Sequence, residues 1–149
     1  MNASRPQKVA IDHDDYHAEH VGRTKGGRQF FLTTPFEPSS SSSKGCEYIA
    51  LFQFDLDGNL IDSNIESLGV RGSYEEDDRK NRYLQCLQSL GEVEFGRIEV
   101  KPFSISFNET DIGLIVREPE GEDDVWAVEM LPGNYMAFFE PWDSGEYDT

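Results

Sequence analysis

Residues 47–63, EYIALFQFDLDGNLIDS, constrain the fold more strongly than any other part of the sequence. Successive side chains of an extended segment alternate between two faces, and here both faces are apolar. One face carries Tyr48, Ala50, Phe52 and Phe54, and the other carries Ile49 and Leu51. Because such a strand must be covered on both sides, we predict that it lies at the centre of a sheet.

The residues that follow this strand favour a tight hairpin. Asp57 and Gly58 are typical of such turns, since glycine accepts the positive φ that they require. Within residues 60–68, Ile61 and Ile65 then alternate with Ser63 and Ser67. We predict that this segment returns as an antiparallel neighbour, in which case the turn can be purely structural and carry no chemistry.

The remainder of the chain predicts short strands and one helix. Ser73 and Glu76 form a capping-box pattern and Gly91 is a typical terminator, so the helix is expected over residues 73–90. Alternation elsewhere indicates about seven to nine short strands. Strands and helices do not alternate along the chain, which predicts an α+β fold with a mostly antiparallel sheet.

Length and composition indicate one domain. Residues 1–15 are polar and are expected to be a flexible lead, while residues 16–149 form a single α+β domain with a Ser-rich loop at 37–45 and an acidic C-terminal tail. Cys46 and Cys86 lack metal-binding spacing, and the sequence has neither a signal-like segment nor a run of 18 apolar residues. These features predict a cytoplasmic protein.

Charge restricts the class of partner. Thirteen Lys and Arg residues against 29 Asp and Glu residues give a net charge of −16, which disfavours direct binding to nucleic acid and to anionic membranes. No basic residue follows Arg117, although ten acids do. A basic protein partner is therefore expected, with Trp126, Trp142 and Tyr147 as candidate anchors, unless the charge serves solubility and the aromatic rings only pack.

The segment FDLDGN resembles the nucleophile motif of haloacid-dehalogenase-type phosphatases. The resemblance implies that Asp55 attacks phosphorus and binds Mg²⁺, and that Asp57 is the general acid. Lys101 would then balance charge, and Asp123 and Asp124 would be further metal ligands. That family needs a helix after the motif and a parallel sheet, whereas this sequence predicts strands, so a metal-dependent phosphohydrolase is the alternative hypothesis.

The same turn can be aligned with a calcium-binding EF-hand loop. The oxygen ligands would then be Asp55, Asp57, Asn59, the Ile61 carbonyl, Ser63 and Glu66. However, Leu60 stands where this loop needs glycine, and a strand precedes the turn where a helix should. A site for Mg²⁺ or Ca²⁺ is therefore a second alternative to a structural hairpin.

All three histidines lie within DHDDYHAEH, residues 12–20. On a helix His13, His17 and His20 would share one face and could hold a transition metal. If the segment is instead a strand that ends near Val21, His17 and His20 point to opposite faces and no such site forms.

Three stretches, VGRTKGGRQFFLTTPF, FDLDGNLIDSNIESLG and PWDSGEYDT, resemble a group of small acidic bacterial proteins of uncharacterised function. Some members of that group are labelled formate hydrogenlyase regulatory protein HycA-like. The resemblance implies a regulatory, non-enzymatic protein that acts through protein contacts, and it carries no site residues. We therefore expect a non-catalytic protein-interaction or regulatory domain.

Overall fold

The computed structural model describes residues 7–13, 20–37, 45–70, 75–107, 110–131, 136–139, 142 and 145–147. Within these ranges the chain forms one helix, α1 (Glu76–Gln88), and thirteen strands. The strands are β1 (Val9–Ile11), β2 (His20–Thr24), β3 (Gln29–Thr33), β4 (Phe36–Glu37), β5 (Cys46–Phe54), β6 (Leu60–Gly69), β7 (Val93–Phe95), β8 (Ile98–Val100), β9 (Phe103–Phe107), β10 (Thr110–Arg117), β11 (Ala127–Leu131), β12 (Met136–Phe138) and β13 (Gly145–Tyr147).

The predicted central strand, β5, organises the larger sheet. It pairs with β3 and β4 on one side and with β6 on the other, and β2 and β7 extend the sheet beyond β3. All of these pairings are antiparallel. The predicted hairpin return is confirmed, because β6 runs back along nearly the whole length of β5.

The β5–β6 hairpin contains a bulge beside its turn. Phe54 pairs with Leu60 and Gln53 pairs with Asp62, so Ile61 is an extra residue without a partner in β5. A bulge bends the strand that carries it and turns its side chains locally. The end of β6 nearest the turn is therefore displaced from a regular ladder.

A second sheet of five antiparallel strands has the order β13-β12-β11-β10-β9. It packs face to face against the larger sheet, and the short β1–β8 pair contributes to the same core. The buried residues of this core include Phe31 and Phe52 from the larger sheet and Ile112, Leu114 and Met130 from the second sheet. The two apolar faces of adjacent antiparallel sheets thus exclude water from each other.

The helix α1 covers the opposite face of the larger sheet. Cys86 is buried there against Ile49 and Leu51 of β5, and Tyr83 and Leu87 pack at the margin of the same cluster. This arrangement explains why both faces of β5 are apolar. The helix is polar, and no helix in the described part of the chain has the length and apolar character needed to cross a membrane.

Three predictions about the fold need correction. The strands exceed the expected seven to nine, because several have only two or three residues and are too short to show an alternating pattern. The helix spans Glu76–Gln88 rather than 73–90; Glu75 is its N-cap without a side-chain cap bond, and Ser73 lies outside the described residues. Residues 9–11, expected in a flexible lead, form the buried strand β1.

Candidate functional site

The turn between β5 and β6 is built around the carboxylate of Asp55. Its Oδ1 atom accepts hydrogen bonds from the backbone N–H groups of Asp57 (3.0 Å) and Asn59 (2.9 Å). The Asn59 side-chain amide donates to Oδ2 at 3.0 Å. These bonds, led by the side-chain bond from Asn59, hold the pKa of Asp55 below its ordinary value because they favour the charged form.

Gly58 brings this turn into close contact with the end of β8. Its φ of 91° lies in the left-handed region, and its carbonyl accepts a hydrogen bond from the backbone N–H of Lys101 at 2.9 Å. A Cβ atom on Gly58 would lie 3.0 Å from the Glu99 carbonyl oxygen and 3.0 Å from the Cα atom of Val100. A side chain at this position would therefore be strained by the positive φ and would crowd the neighbouring backbone.

Gln29, at the start of β3, also connects the turn to β8 through hydrogen bonds of its side chain. The side chain is buried, and its Nε2 atom donates to the carbonyl oxygens of Asp55 and Glu99, both at 2.9 Å. Its Oε1 atom accepts from the backbone N–H of Glu99 at 2.8 Å. The side-chain amide both donates and accepts hydrogen bonds, as a backbone peptide group does. It thereby links β8 to the end of the hairpin.

Part of the residue set predicted for a phosphatase meets at this turn. Lys101 donates from Nζ to the Asn59 side-chain oxygen at 2.9 Å, and Asn59 in turn binds Asp55. The strand that follows the motif is the antiparallel β6, where the phosphatase arrangement has a helix. The carboxylate of Asp55 thus serves the local turn, and the side chain of Asp57 is exposed to solvent.

Of the two carboxylates expected as further ligands, Asp124 is engaged in other interactions and Asp123 faces solvent. Asp124 accepts hydrogen bonds from Arg117 Nη1 (2.8 Å) and from two backbone N–H groups of its own loop. Its neighbour Asp123 is exposed. Among the described residues, no group of three or more His, Cys, Asp or Glu side chains is placed to hold a metal ion.

The calcium-loop arrangement is also not assembled. Ser63 and Glu66 lie on opposite faces of the extended strand β6, and Glu66 points toward α1. There its carboxylate lies 3.6 Å from Arg82 and accepts a hydrogen bond from Cys86 Sγ at 3.4 Å. Burial, followed by the Glu66 interaction, raises the pKa of Cys86 to about 11.

The described histidines pack against aromatic rings. The rings of His13 and Phe95 are stacked at 5.4 Å, and His20 bonds through Nδ1 to the hydroxyl of Tyr83. His20 belongs to strand β2, so the predicted shared helical face does not include it. His17 lies outside the described residues. Phe95, which sequence reasoning did not single out, also lines an open cavity of about 210 Å³ beside β2 and β7.

The acidic loop, defined as residues 118–126 between β10 and β11, is held in place by interactions of Asp124, called here the Asp124 anchor. Arg117 lies between Asp124 (2.8 Å) and Glu129 (3.7 Å), and the Asp124 carboxylate also accepts from the N–H groups of Glu120 and Val125. The backbone bonds, and then Arg117, lower the pKa of Asp124. The bond to Asp124 is in turn the largest contribution that raises the pKa of Arg117.

Around this anchor the acidic loop presents charge to solvent. The exposed carboxylates are those of Glu118, Glu120, Glu122 and Asp123. Val125 is 49% exposed, and Trp126, one of the predicted anchors, is half-buried. A small apolar surface thus lies within a field of negative charge.

The other two predicted anchors lie elsewhere. Trp142 packs against the core between the sheets, and its carbonyl accepts a hydrogen bond from the N–H of Ala10 at 2.9 Å. Tyr147 belongs to β13, and its side chain lies outside the described part of the structure. Trp126 is therefore the one predicted aromatic anchor whose described position adjoins the acidic loop.

Comparison of the chain with models of known families, with curated proteins and with solved structures finds no match.

Proposed function

We propose that the protein is a non-catalytic interaction domain that regulates a partner by binding a basic segment of it through the acidic loop. The observation that carries this proposal is the anchoring of the loop by Asp124 and Arg117. A loop whose conformation is already set loses less conformational entropy when it binds. Its exposed carboxylates can therefore act together on one basic segment.

Charge supports the same class of partner. The chain carries a net charge of −16, and four of its exposed carboxylates lie in the loop, which follows the last basic residue, Arg117. Opposite charge speeds encounter and selects the partner, while a small apolar surface adds contact area. Val125 and Trp126 supply that surface, and the Asp55 turn has a structural role in this proposal.

The test compares two variants that remove the same number of charges. In the loop variant, Gln or Asn replaces the four exposed acids Glu118, Glu120, Glu122 and Asp123. In the helix variant, the same replacements are made at the exposed acids Glu75, Glu76, Asp77 and Asp78. Both keep the Asp124 anchor and shift the net charge equally, so any difference between them reports the place of binding.

The probe is a lysine-rich peptide of about a dozen residues, titrated at physiological salt and followed by amide NMR. Each exposed ion pair contributes about 0.2–1 kcal/mol, so we expect the loop variant to bind roughly tenfold more weakly. The helix variant should bind almost as wild type does. Equal weakening of both variants would show attraction to the overall charge and would refute the proposed site.

A further inference from the structure

The strand β9 forms an open edge of the second sheet. Within the described residues it pairs only with β10. The register is regular, from the pair of Phe107 with Thr110 to the pair of Phe103 with Leu114. In an antiparallel ladder, alternate residues direct their N–H and C=O groups away from the partner strand. Because Phe107 and Thr110 close a two-residue hairpin loop, these outward groups belong to Ser104 and Ser106.

Within β9 itself, this edge carries no charged side chain, no proline and no bulge. The residues of its sequence, FSISF, favour extended structure. Natural sheets commonly protect an edge with charged side chains, bulges or proline. The edge of β6 has such protection, since Asp62 accepts from the N–H of Ser63 and Arg82 donates to the carbonyl of Ser67.

Aromatic contacts show where β9 lies over the larger sheet. The ring centroid of Phe103 is 4.7 Å from that of Phe52 and 5.5 Å from that of Phe54. At the other end of the strand, Phe107 lies 6.0 Å from Tyr48. The strand β9 therefore lies over β5 and runs in the opposite direction. Because Ile61 and Ser63 of β6 are exposed, the second sheet does not cover this part of β6, and we infer that β6 extends beyond the edge of the second sheet.

The uncovered part of β6 forms a ledge, defined by the side chains of Ile61, Ser63 and Ile65. The pairing of Ile65 with Ala50 and of Ser63 with Phe52 directs these side chains toward the second sheet. Ser63 is nevertheless exposed, and Ile61, the unpaired residue of the bulge, is 46% exposed. The ledge is thus a partly apolar, partly exposed surface beside the edge of the second sheet.

We propose that an extended basic segment of a partner protein adds to β9 as a further strand and covers the β6 ledge. The N–H and C=O groups of Ser104 and Ser106 would form its main-chain hydrogen bonds, in the manner of other strand-addition complexes. Alternate apolar side chains of the segment would contact Ile61 and Ile65. This binding mode uses a surface other than the acidic loop and does not depend on it.

Charge determines the chemistry of the added segment. Asp111 is exposed and lies opposite Ser106 in the second sheet, and Asp62 is exposed on the other face of β6. The protein as a whole is strongly negative. Basic residues at the positions that alternate with the apolar ones would therefore be attracted to both the local and the overall charge.

A second copy of this chain does not fit the site. The segment FSISF reads the same in both directions about Ile105, so it could pair with itself if only the strand were considered. In such a pair, however, the β6 strand of each copy would enter the space occupied by β5 of the other, because β6 extends beyond β9. Two net charges of −16 would also repel, so the occupant is a single extended segment.

The test uses a short peptide in which lysine alternates with valine. Its control has the same sequence with N-methyl groups on the backbone amides of one edge, which removes main-chain donors and keeps the charge. We expect the unmodified peptide to protect the amides of Ser104 and Ser106 from hydrogen exchange and to bind at least tenfold more tightly than the control. Equal binding of the two peptides would overturn strand addition and leave the acidic-loop proposal standing.

Two protein variants test the same edge. Ser104→Pro removes one outward N–H at a position where an edge strand tolerates proline, and Ser104→Ala keeps that N–H. The first should weaken peptide binding about tenfold or more, and the second should bind as wild type does. Three results would each overturn the proposal. The first is protection of other amides from hydrogen exchange without protection of Ser104 and Ser106. The others are the absence of saturable peptide binding and dimerisation of the protein through β9 without peptide.

Discussion

Replacement of Gln29 by leucine is expected to destabilise the protein substantially, although the two side chains have similar size. The side-chain amide of Gln29 makes three hydrogen bonds to the backbone, two of them to Glu99. Leucine would leave the N–H and C=O groups of Glu99 without these partners, while the Asp55 carbonyl keeps its bond from the N–H of Gly58. At about 0.5–1.5 kcal/mol for each bond, the expected loss of unfolding free energy is about 2–4 kcal/mol.

Urea denaturation followed by tryptophan fluorescence measures this loss. The matched control is Gln53→Leu, because Gln53 is half-buried on β5 and its side-chain contact, to Arg28, is long at 3.4 Å and exposed. The control should change the unfolding free energy by less than about 0.5 kcal/mol. If Gln29→Leu has an equally small effect, the side chain does not join the hairpin to β8 as the structure indicates.

Three further predictions concern the turn and the thiols. Gly58→Ala should cost more than Gly27→Ala by about 1 kcal/mol or more in urea denaturation, because both have positive φ but only a Cβ atom at Gly58 would meet neighbouring backbone; equal losses would contradict the close approach. Asp55 has a lowered pKa in the folded state, so its contribution to stability is present above the unfolded pKa of about 4 and is lost as pH falls through the lower folded pKa. The stability difference between wild type and Asp55→Asn should therefore shrink in acid, and a constant difference would refute the assignment. Cys86 is buried with a pKa of about 11, so at pH near 8 it should react with a thiol reagent much more slowly than the half-buried Cys46. The fast phase of the reaction then belongs to Cys46 and should remain in Cys86→Ser; its loss in that variant would contradict the assignment.

The hairpin could be predicted from the sequence because its signals are local. The two-sided apolar pattern of β5 and the Asp57–Gly58 turn act over neighbouring residues, and the structure confirms both the strand and its antiparallel return. The sequence also locates the helix, although the pattern predicts a longer helix than the structure has. Its first expected turn includes residues outside the described ranges, and its last expected residues form a turn after Gln88.

The long-range pairings could not be predicted in the same way. The strands β1 and β8 join residues about 90 positions apart, and β2 and β7 join residues about 70 positions apart. Each is too short for a periodic pattern to identify it. The role of Gln29 was missed for a related reason, because nothing in a local sequence shows that a polar side chain will bond to a distant backbone.

The resemblance of the turn to a phosphatase motif has a physical explanation. A tight turn stabilised by a side chain favours Asp at its start, Gly where φ is positive, and Asn where a side-chain amide can return to the carboxylate. A phosphoryl-transfer site uses Asp for nucleophilic attack and for metal binding. The same residue types therefore suit both purposes, and their surroundings distinguish a structural turn from a catalytic one.

The most direct test of this account is one amide NMR titration series on the wild-type protein, first with Mg²⁺, then with Ca²⁺, and finally with the lysine–valine peptide. We expect millimolar metal ions to leave residues 55–59 unshifted, and the peptide to produce saturable shifts at residues 103–107 and 118–126. Saturable metal-induced shifts at residues 55–59, without peptide-induced shifts at either surface, would contradict the account. They would instead support a metal-dependent function for the Asp55 turn.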